Sequence, residues 1–125
     1  MKESLRYLQN ARGILKRASR EDNTYTDVKL VRESCATAYL SVLLAINEYL
    51  LHQGLTKKEL PKNVDAYRRA LHKYVAIHNG KLFREFDKLY DLLHIVGYYQ
   101  GLLYDVTIVK DTFHLTQSFI EKLGK

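Results

Sequence analysis

The longest uncharged stretch of the chain constrains its fold more than any other feature. Residues 34–47 contain fourteen consecutive positions without a charged side chain. A helix that is apolar around its whole circumference has to be buried on every side, whereas a membrane span needs roughly 20 such residues. The stretch therefore predicts the central helix of a bundle, running over about residues 27–53.

The segments around this central helix show the apolar period of amphipathic helices. In residues 3–20, apolar side chains share one face and cations share the opposite face. Asn63 and Asp105 are predicted N-caps, and helices are expected over about residues 3–20, 27–53, 63–78, 80–104 and from 105 onward. Short connections between such helices predict one all-α domain, residues 1–125, folded as an antiparallel four- to five-helix up-and-down bundle.

Glycines indicate where these helices end. Gly54 is expected to stop the second helix, and Asn79 with Gly80 predicts a left-handed stop before the fourth. Gly97 and Gly101 weaken the extension of the fourth helix, since each costs about 1 kcal/mol relative to Ala in a helix interior. A kink near Gly97 is therefore expected.

The net charge of +6 is concentrated in two segments. Residues 1–20 hold six cations and one acid, and residues 56–74 hold six cations and two acids. Such surfaces favour nucleic acid or an acidic protein partner, although many solvated helix faces have the same composition. The candidate binding residues are the cations on the outer faces of the first and third helices: Arg6, Arg12, Lys16, Arg17, Arg20, Arg69 and Lys73.

One stripe on the fourth helix has residue types that suit acid and base chemistry. Asp87, Asp91, His94 and Tyr98 follow each other at spacings of four, three and four residues, which places them together on an α-helix. Asp91 would orient the His94 imidazole as a general base, and Tyr98 would donate a hydrogen bond to a substrate oxygen. The alternative is a half-buried histidine tied to a carboxylate, with Tyr98 packed between helices.

Other chemistry has little support in the sequence. Glu48 and His52 form a helical pair, but no Glu-x-x-His motif of di-iron bundles and no phosphate-binding loop is present. The lone Cys35 lies in the apolar helix centre, where burial would raise its pKa. We expect no metal, no cofactor and no membrane span, and the absence of a signal-type apolar segment predicts a cytoplasmic protein.

Two segments resemble the HEPN family of prokaryotic helical bundles. They are residues 33–50 (ESCATAYLSVLLAINEYL) and residues 90–99 (YDLLHIVGYY). Active members of that family carry an Arg followed after four to six residues by a His, and the pair acts in metal-independent RNA cleavage. Here Lys88 stands at that spacing before His94, and Arg84 lies too far away. The resemblance implies a catalytically silent branch and a homodimer formed through bundle helices.

The sequence is thus interpreted as a non-enzymatic HEPN-like bundle. The expected form is a dimeric binding module whose basic face takes a protein partner or RNA. One alternative is a weak ribonuclease that uses His94 with Lys88 or Arg84, together with Asp91 and Tyr98. The other is a purely structural interaction module in which the charge serves solubility alone.

Overall fold

The chain is an all-α bundle, as the periodicity predicts. The computed structural model describes residues 2–75 and 80–124. Beyond the helices, these residues form one small hairpin of β1 (Arg20–Glu21) and β2 (Thr24–Tyr25) and one turn of 3₁₀-helix at Lys57–Glu59. The helices are α1 (Glu3–Lys16), α2 (Val28–His52), α3 (Val64–Tyr74), α4 (Gly80–Leu89), a π-helical segment (Tyr90–Tyr99) and α5 (Val106–Leu123).

The first helix is shorter than predicted, and a hairpin follows it. α1 ends at Lys16, and Arg20 pairs with Tyr25 in the antiparallel β1–β2 ladder instead of continuing the helix. Asp22 makes the turn with a φ of 51°. Polar residues that hydrogen-bond locally stabilise turns at the expense of helix, and here the Ser19 and Thr26 hydroxyls lie 3.1 Å apart across the base of the hairpin.

The central helix is α2, as the uncharged stretch predicts. The Asp27 side chain accepts a hydrogen bond from the Leu30 amide, and Gly54 follows the helix with a φ of 105°. α2 packs against α1, α3, α5 and the π-helical segment. Among the described residues it is the one helix long and apolar enough to cross a membrane, and half of its most apolar window is buried inside the bundle. That burial is typical of a core helix.

The third and fourth helices begin near their predicted positions. Asn63 caps α3 by accepting from the Ala66 amide, as expected. The predicted end of this helix at His78, and Asn79 of the predicted stop, fall outside the described residues. Gly80 is already helical in α4 and does not have the positive φ of a left-handed stop, so that part of the predicted stop is wrong.

The fourth helix does not run to Tyr104, and its second half is π-helical. The Gln100 amide donates to the Ile95 carbonyl, five residues back, at 2.8 Å. The helix is not stopped at Gly97, which is buried against Cys35. It ends before Gly101, whose φ is 66°. Arg32 closes this end, since its guanidinium donates to the carbonyls of Tyr98 at 2.8 Å and Tyr99 at 3.0 Å.

The last helix connects the two ends of the bundle. Asp105 caps α5, as predicted, by accepting from the Ile108 amide at 2.9 Å. The Tyr25 amide donates to the Tyr104 carbonyl, and the Val106 amide donates to the Asn23 carbonyl. These bonds place the β1–β2 hairpin beside the start of α5, close to the end of α1.

Candidate functional site

A cleft of about 400 Å³ lies where α1 ends, the hairpin turns and α5 begins. Its floor is apolar and consists of Leu15, Ala18, Tyr25 and Phe113. Its rim is basic and consists of Arg12, Lys16, Arg20, Lys110 and His114. We call this feature, defined by these nine residues, the basic cleft.

The cations of the basic cleft have no acidic partner. None of the nine lining residues is acidic. The ion pairs of the described residues involve Arg6, Arg68 and Lys122, and none of the four fully charged rim residues. Lys16, Arg20 and Lys110 are exposed and Arg12 is half-buried. Four unpaired positive charges around one cleft favour an anionic ligand.

Three of the predicted binding residues meet in this cleft, and four do not. Arg12 and Lys16 come from the last turns of α1, and Arg20 comes from the hairpin. Arg17 is exposed outside the lining, and Arg6 is held by Glu3 at 2.8 Å. The remaining two, Arg69 and Lys73, line a separate groove together with Glu59 and Lys62.

Lys110 and His114 were missed as site residues by sequence reasoning. Their four-residue spacing places both on one face of α5, but a polar face is expected on the outside of any bundle helix. The hairpin brings that face next to α1, and the hairpin itself was not predicted. The sequence shows the four-residue spacing of Lys110 and His114, but nothing in it indicates that this face of α5 lies beside α1.

Tyr25 gives the floor a polar group. Burial raises the pKa of the Tyr25 hydroxyl, and the positive charge of Arg20 offsets part of that rise. The hydroxyl therefore stays protonated at neutral pH, as a hydrogen-bond donor. The cleft combines apolar contact area with one phenol and several cations, which suits a ligand that has anionic groups on an apolar body.

His94 sits in a column of tyrosine rings. Its imidazole lies 5.5 Å from the Tyr90 ring, 5.9 Å from the Tyr98 ring and 4.8 Å from the Tyr39 ring, measured between centroids. The residues at positions 90, 94 and 98 are four apart on the same helical segment, and this spacing brings their side chains to one side of it. His94 is half-buried and Tyr98 is 43% exposed.

The predicted pairing of Asp91 with His94 is absent from the hydrogen bonds of the described residues. Residues three apart differ by about 60° in direction on an α-helix and by about 115° on a π-helix. Asp91 is exposed at the surface, as is Lys88. The structure does bring Tyr98 and His94 together, as a ring stack.

Arg68 and Asp87 add a charged pair that the sequence reasoning did not find. The Arg68 Nε donates to the Asp87 Oδ1 at 2.7 Å, and the guanidinium lies 5.1 Å from the Tyr90 ring centroid. The hydrogen bond that the Asp87 carboxylate accepts from Arg68 is the main reason that the pKa of Arg68 is raised. The pair joins α3 to α4 and covers one end of the tyrosine column.

Comparison with known proteins shows a family without an assigned function. The family model described as "Domain of unknown function (DUF5618)" matches residues 1–125. A solved structure described as a protein of unknown function from Dyadobacter fermentans is 33% identical, with a TM-score of 0.81. The match covers 97% of this chain and 90% of that one. No curated protein matches. No HEPN family model matches either, so the HEPN resemblance remains a hypothesis.

Proposed function

The chain belongs to DUF5618, a domain of unknown function, and from that premise we propose that it is a non-enzymatic binding module for single-stranded RNA. The observation that carries the proposal is the basic cleft, with four unpaired cations around an apolar floor. Cations on a rim contact backbone phosphates, and an apolar floor accepts an unstacked base. A protein partner with an acidic patch would use the cations but would leave the floor empty.

The size of the basic cleft favours a single strand. A volume of about 400 Å³ lies in the range of pockets that hold one small organic group. In a double helix the bases are stacked and paired, and proteins recognise it mainly through its phosphates and its shape. The narrow apolar floor of the basic cleft would then contact no base. A single strand supplies both a phosphate row and free bases.

We expect the double variant Arg20→Gln/Lys110→Gln to weaken RNA binding about tenfold, since each phosphate contact removed weakens binding at moderate salt. The measurement is fluorescence anisotropy with a labelled 12-nucleotide RNA in 100 mM salt. Both residues are exposed rim cations, so the stability of the fold is expected to stay within about 0.5 kcal/mol of the wild type.

The matched control is Lys57→Gln/Lys58→Gln, which removes two exposed cations near the other end of α2. Equal weakening by both pairs would show that the cleft has no special part in binding.

No binding by the wild type would favour the purely structural module. Cleaved RNA in a gel after the titration would favour the ribonuclease alternative, and loss of cleavage in His94→Ala would assign it to the tyrosine column.

We also propose that two copies of the chain associate through an apolar surface at the end of the π-helical segment, which the Arg32 guanidinium borders. Residues 95–104 carry no charged side chain. Tyr99, Leu102 and Tyr104 are 71%, 58% and 48% exposed, and Ile108 in the first turn of α5 is 47% exposed. The two basic segments of this chain, whose net charge is +6, repel the same segments of another copy. An apolar patch outside those segments is therefore the face on which two copies approach most easily.

Leu102→Lys is expected to shift the protein from dimer to monomer. The new charge would face its symmetry copy across a twofold interface, and like charges close together cost several kcal/mol there. Light scattering coupled to size-exclusion chromatography gives the mass of each form. Leu51→Lys, at a residue 39% exposed near the end of α2, is the control. A wild type that is monomeric at 100 µM would contradict the dimer.

A further inference from the structure

A second pocket, of about 320 Å³, lies at the opposite end of the bundle from the basic cleft. It is bounded by the start of α1, the last turns of α2 and the end of α5. We call it the end pocket, and its lining consists of Lys2, Ser4, Ala45, Glu48, Tyr49, His52, Gln53, Ile120, Leu123 and Gly124.

Two buried polar atoms in the end pocket lack hydrogen-bond partners. The described residues contain three such side-chain atoms, and Ser4 Oγ and Glu48 Oε1 both belong to this lining. Ser4 is 0% exposed. The third atom is the Oε2 of Glu85, whose other oxygen pairs with Lys122 at 3.0 Å. A buried carboxylate oxygen without a donor is destabilising, so Glu48 Oε1 points to a ligand that donates hydrogen bonds, and the Ser4 hydroxyl can accept a second one.

The charges around the end pocket favour a positively charged donor. α2 and α5 both end here, and helix C-termini carry partial negative charge that adds to the Glu48 carboxylate. Lys2 does not neutralise Glu48, because no ion pair joins them. Its ammonium group lies instead against the end of α5, since a methyl group placed on Gly124 would be 2.8 Å from the Lys2 Nζ.

The remaining walls of the end pocket set the shape of the ligand. Ala45, Ile120 and Leu123 are buried apolar residues, so one side of the pocket accepts a hydrocarbon chain. A metal ion is a poor fit, because the described residues contain no cluster of three His, Cys, Asp or Glu side chains. An ammonium group on a short alkyl chain would satisfy both orphaned oxygens and the apolar wall together.

We propose that the end pocket binds a small aliphatic primary amine. The ammonium group donates hydrogen bonds to the Glu48 Oε1 and the Ser4 Oγ, and the alkyl chain packs on Ile120 and Leu123. This site is independent of the RNA proposal, because it shares no residue with the basic cleft.

The test is a titration of the wild-type protein with n-butylammonium chloride, followed by ¹H–¹⁵N NMR at neutral pH. We expect saturable shifts of the amides of Ser4, Glu48 and His52. Tetramethylammonium, which has the charge without an N–H donor, and n-butanol, which has the chain without the charge, are expected to bind at least about tenfold more weakly.

Three variants separate the proposed contacts from general effects. Glu48→Gln is expected to weaken butylammonium binding about tenfold or more, and Ser4→Ala about tenfold, the effect of one hydrogen bond from a charged donor. Glu33→Gln removes an exposed carboxylate nearer the start of the same helix and should bind as the wild type does. In the absence of amine, Glu48→Gln should melt no lower than the wild type, because the half-buried Glu48 carboxylate has no ion pair to lose.

Three results would overturn the proposal. The first is the absence of saturable butylammonium binding by the wild type. Binding by a Lys2→Gln variant but not by the wild type would be the same result, because it would show that the Lys2 ammonium group itself occupies the site. The second is equal affinity for butylammonium and tetramethylammonium. The third is unchanged affinity in Glu48→Gln while that variant remains folded, which would leave ordered water as the partner of both oxygens.

Discussion

The Gly97→Ala variant is expected to lose about 2 kcal/mol of unfolding free energy, although Ala is the better helix former in general. An added Cβ at Gly97 would lie 2.7 Å from the Cys35 Sγ, 2.9 Å from the Cys35 Cβ and 2.9 Å from the Leu92 carbonyl oxygen. Cys35 is 0% exposed in the centre of α2, so neither helix can yield without disturbing the core. Chemical denaturation followed by circular dichroism measures the loss.

The matched control for Gly97 is Gly13 in α1. A Cβ built at Gly13 meets nothing within 4 Å, so Gly13→Ala is expected to gain about 0.5–1 kcal/mol. Adding Cys35→Ala to Gly97→Ala should recover part of the loss, because it removes the Sγ and leaves the Cβ contact. If both glycine variants were stabilised alike, the close approach of the π-helical segment to α2 would be wrong.

The environment of Cys35 and the positions of the helix caps could be predicted from the sequence. Burial raises the pKa of its thiol to about 12, as its place in the uncharged stretch predicted. The same stretch predicted the position of α2, and local side-chain chemistry predicted the caps at Asn63 and Asp105. These features follow from a few neighbouring residues, which is why a single sequence is enough to find them.

The hairpin and the π-helical segment depend on contacts between distant residues. Arg20 pairs with Tyr25, and the hairpin is held by backbone bonds to residues 104 and 106. The π-helical segment packs Gly97 on Cys35 and is closed by Arg32. Tertiary packing of this kind overrides local propensity, and no period in residues 90–99 indicates i→i+5 bonding.

These two unpredicted elements explain what was found and missed in the candidate site. The cations of α1 were predicted because they share one helical face. Their partners Lys110 and His114 were not, since the sequence did not predict the hairpin that is bonded to the start of α5 beside the end of α1. The pairing of Asp91 with His94 was expected from α-helical spacing, and the wider turn of the π-helix separates the two residues.

The central claim is that the basic cleft binds a phosphate backbone, and the salt dependence of RNA affinity tests it most directly. Arg12, Lys16, Arg20 and Lys110 would neutralise about four phosphates, so that the logarithm of affinity falls with the logarithm of salt concentration with a slope of about −2.8 for a single strand. Between 50 and 200 mM salt this slope corresponds to about a 50-fold loss of affinity.

The deciding measurement is the same anisotropy titration in 50, 100 and 200 mM salt, with the triple variant Arg12→Gln/Arg20→Gln/Lys110→Gln beside the wild type. We predict that the slope becomes shallower, from about −2.8 in the wild type to about −0.7 in the triple variant, because one of the four cleft cations remains. An RNA affinity that does not change with salt, or a slope that the triple variant leaves unchanged, would contradict the claim that this cleft is the nucleic-acid interface.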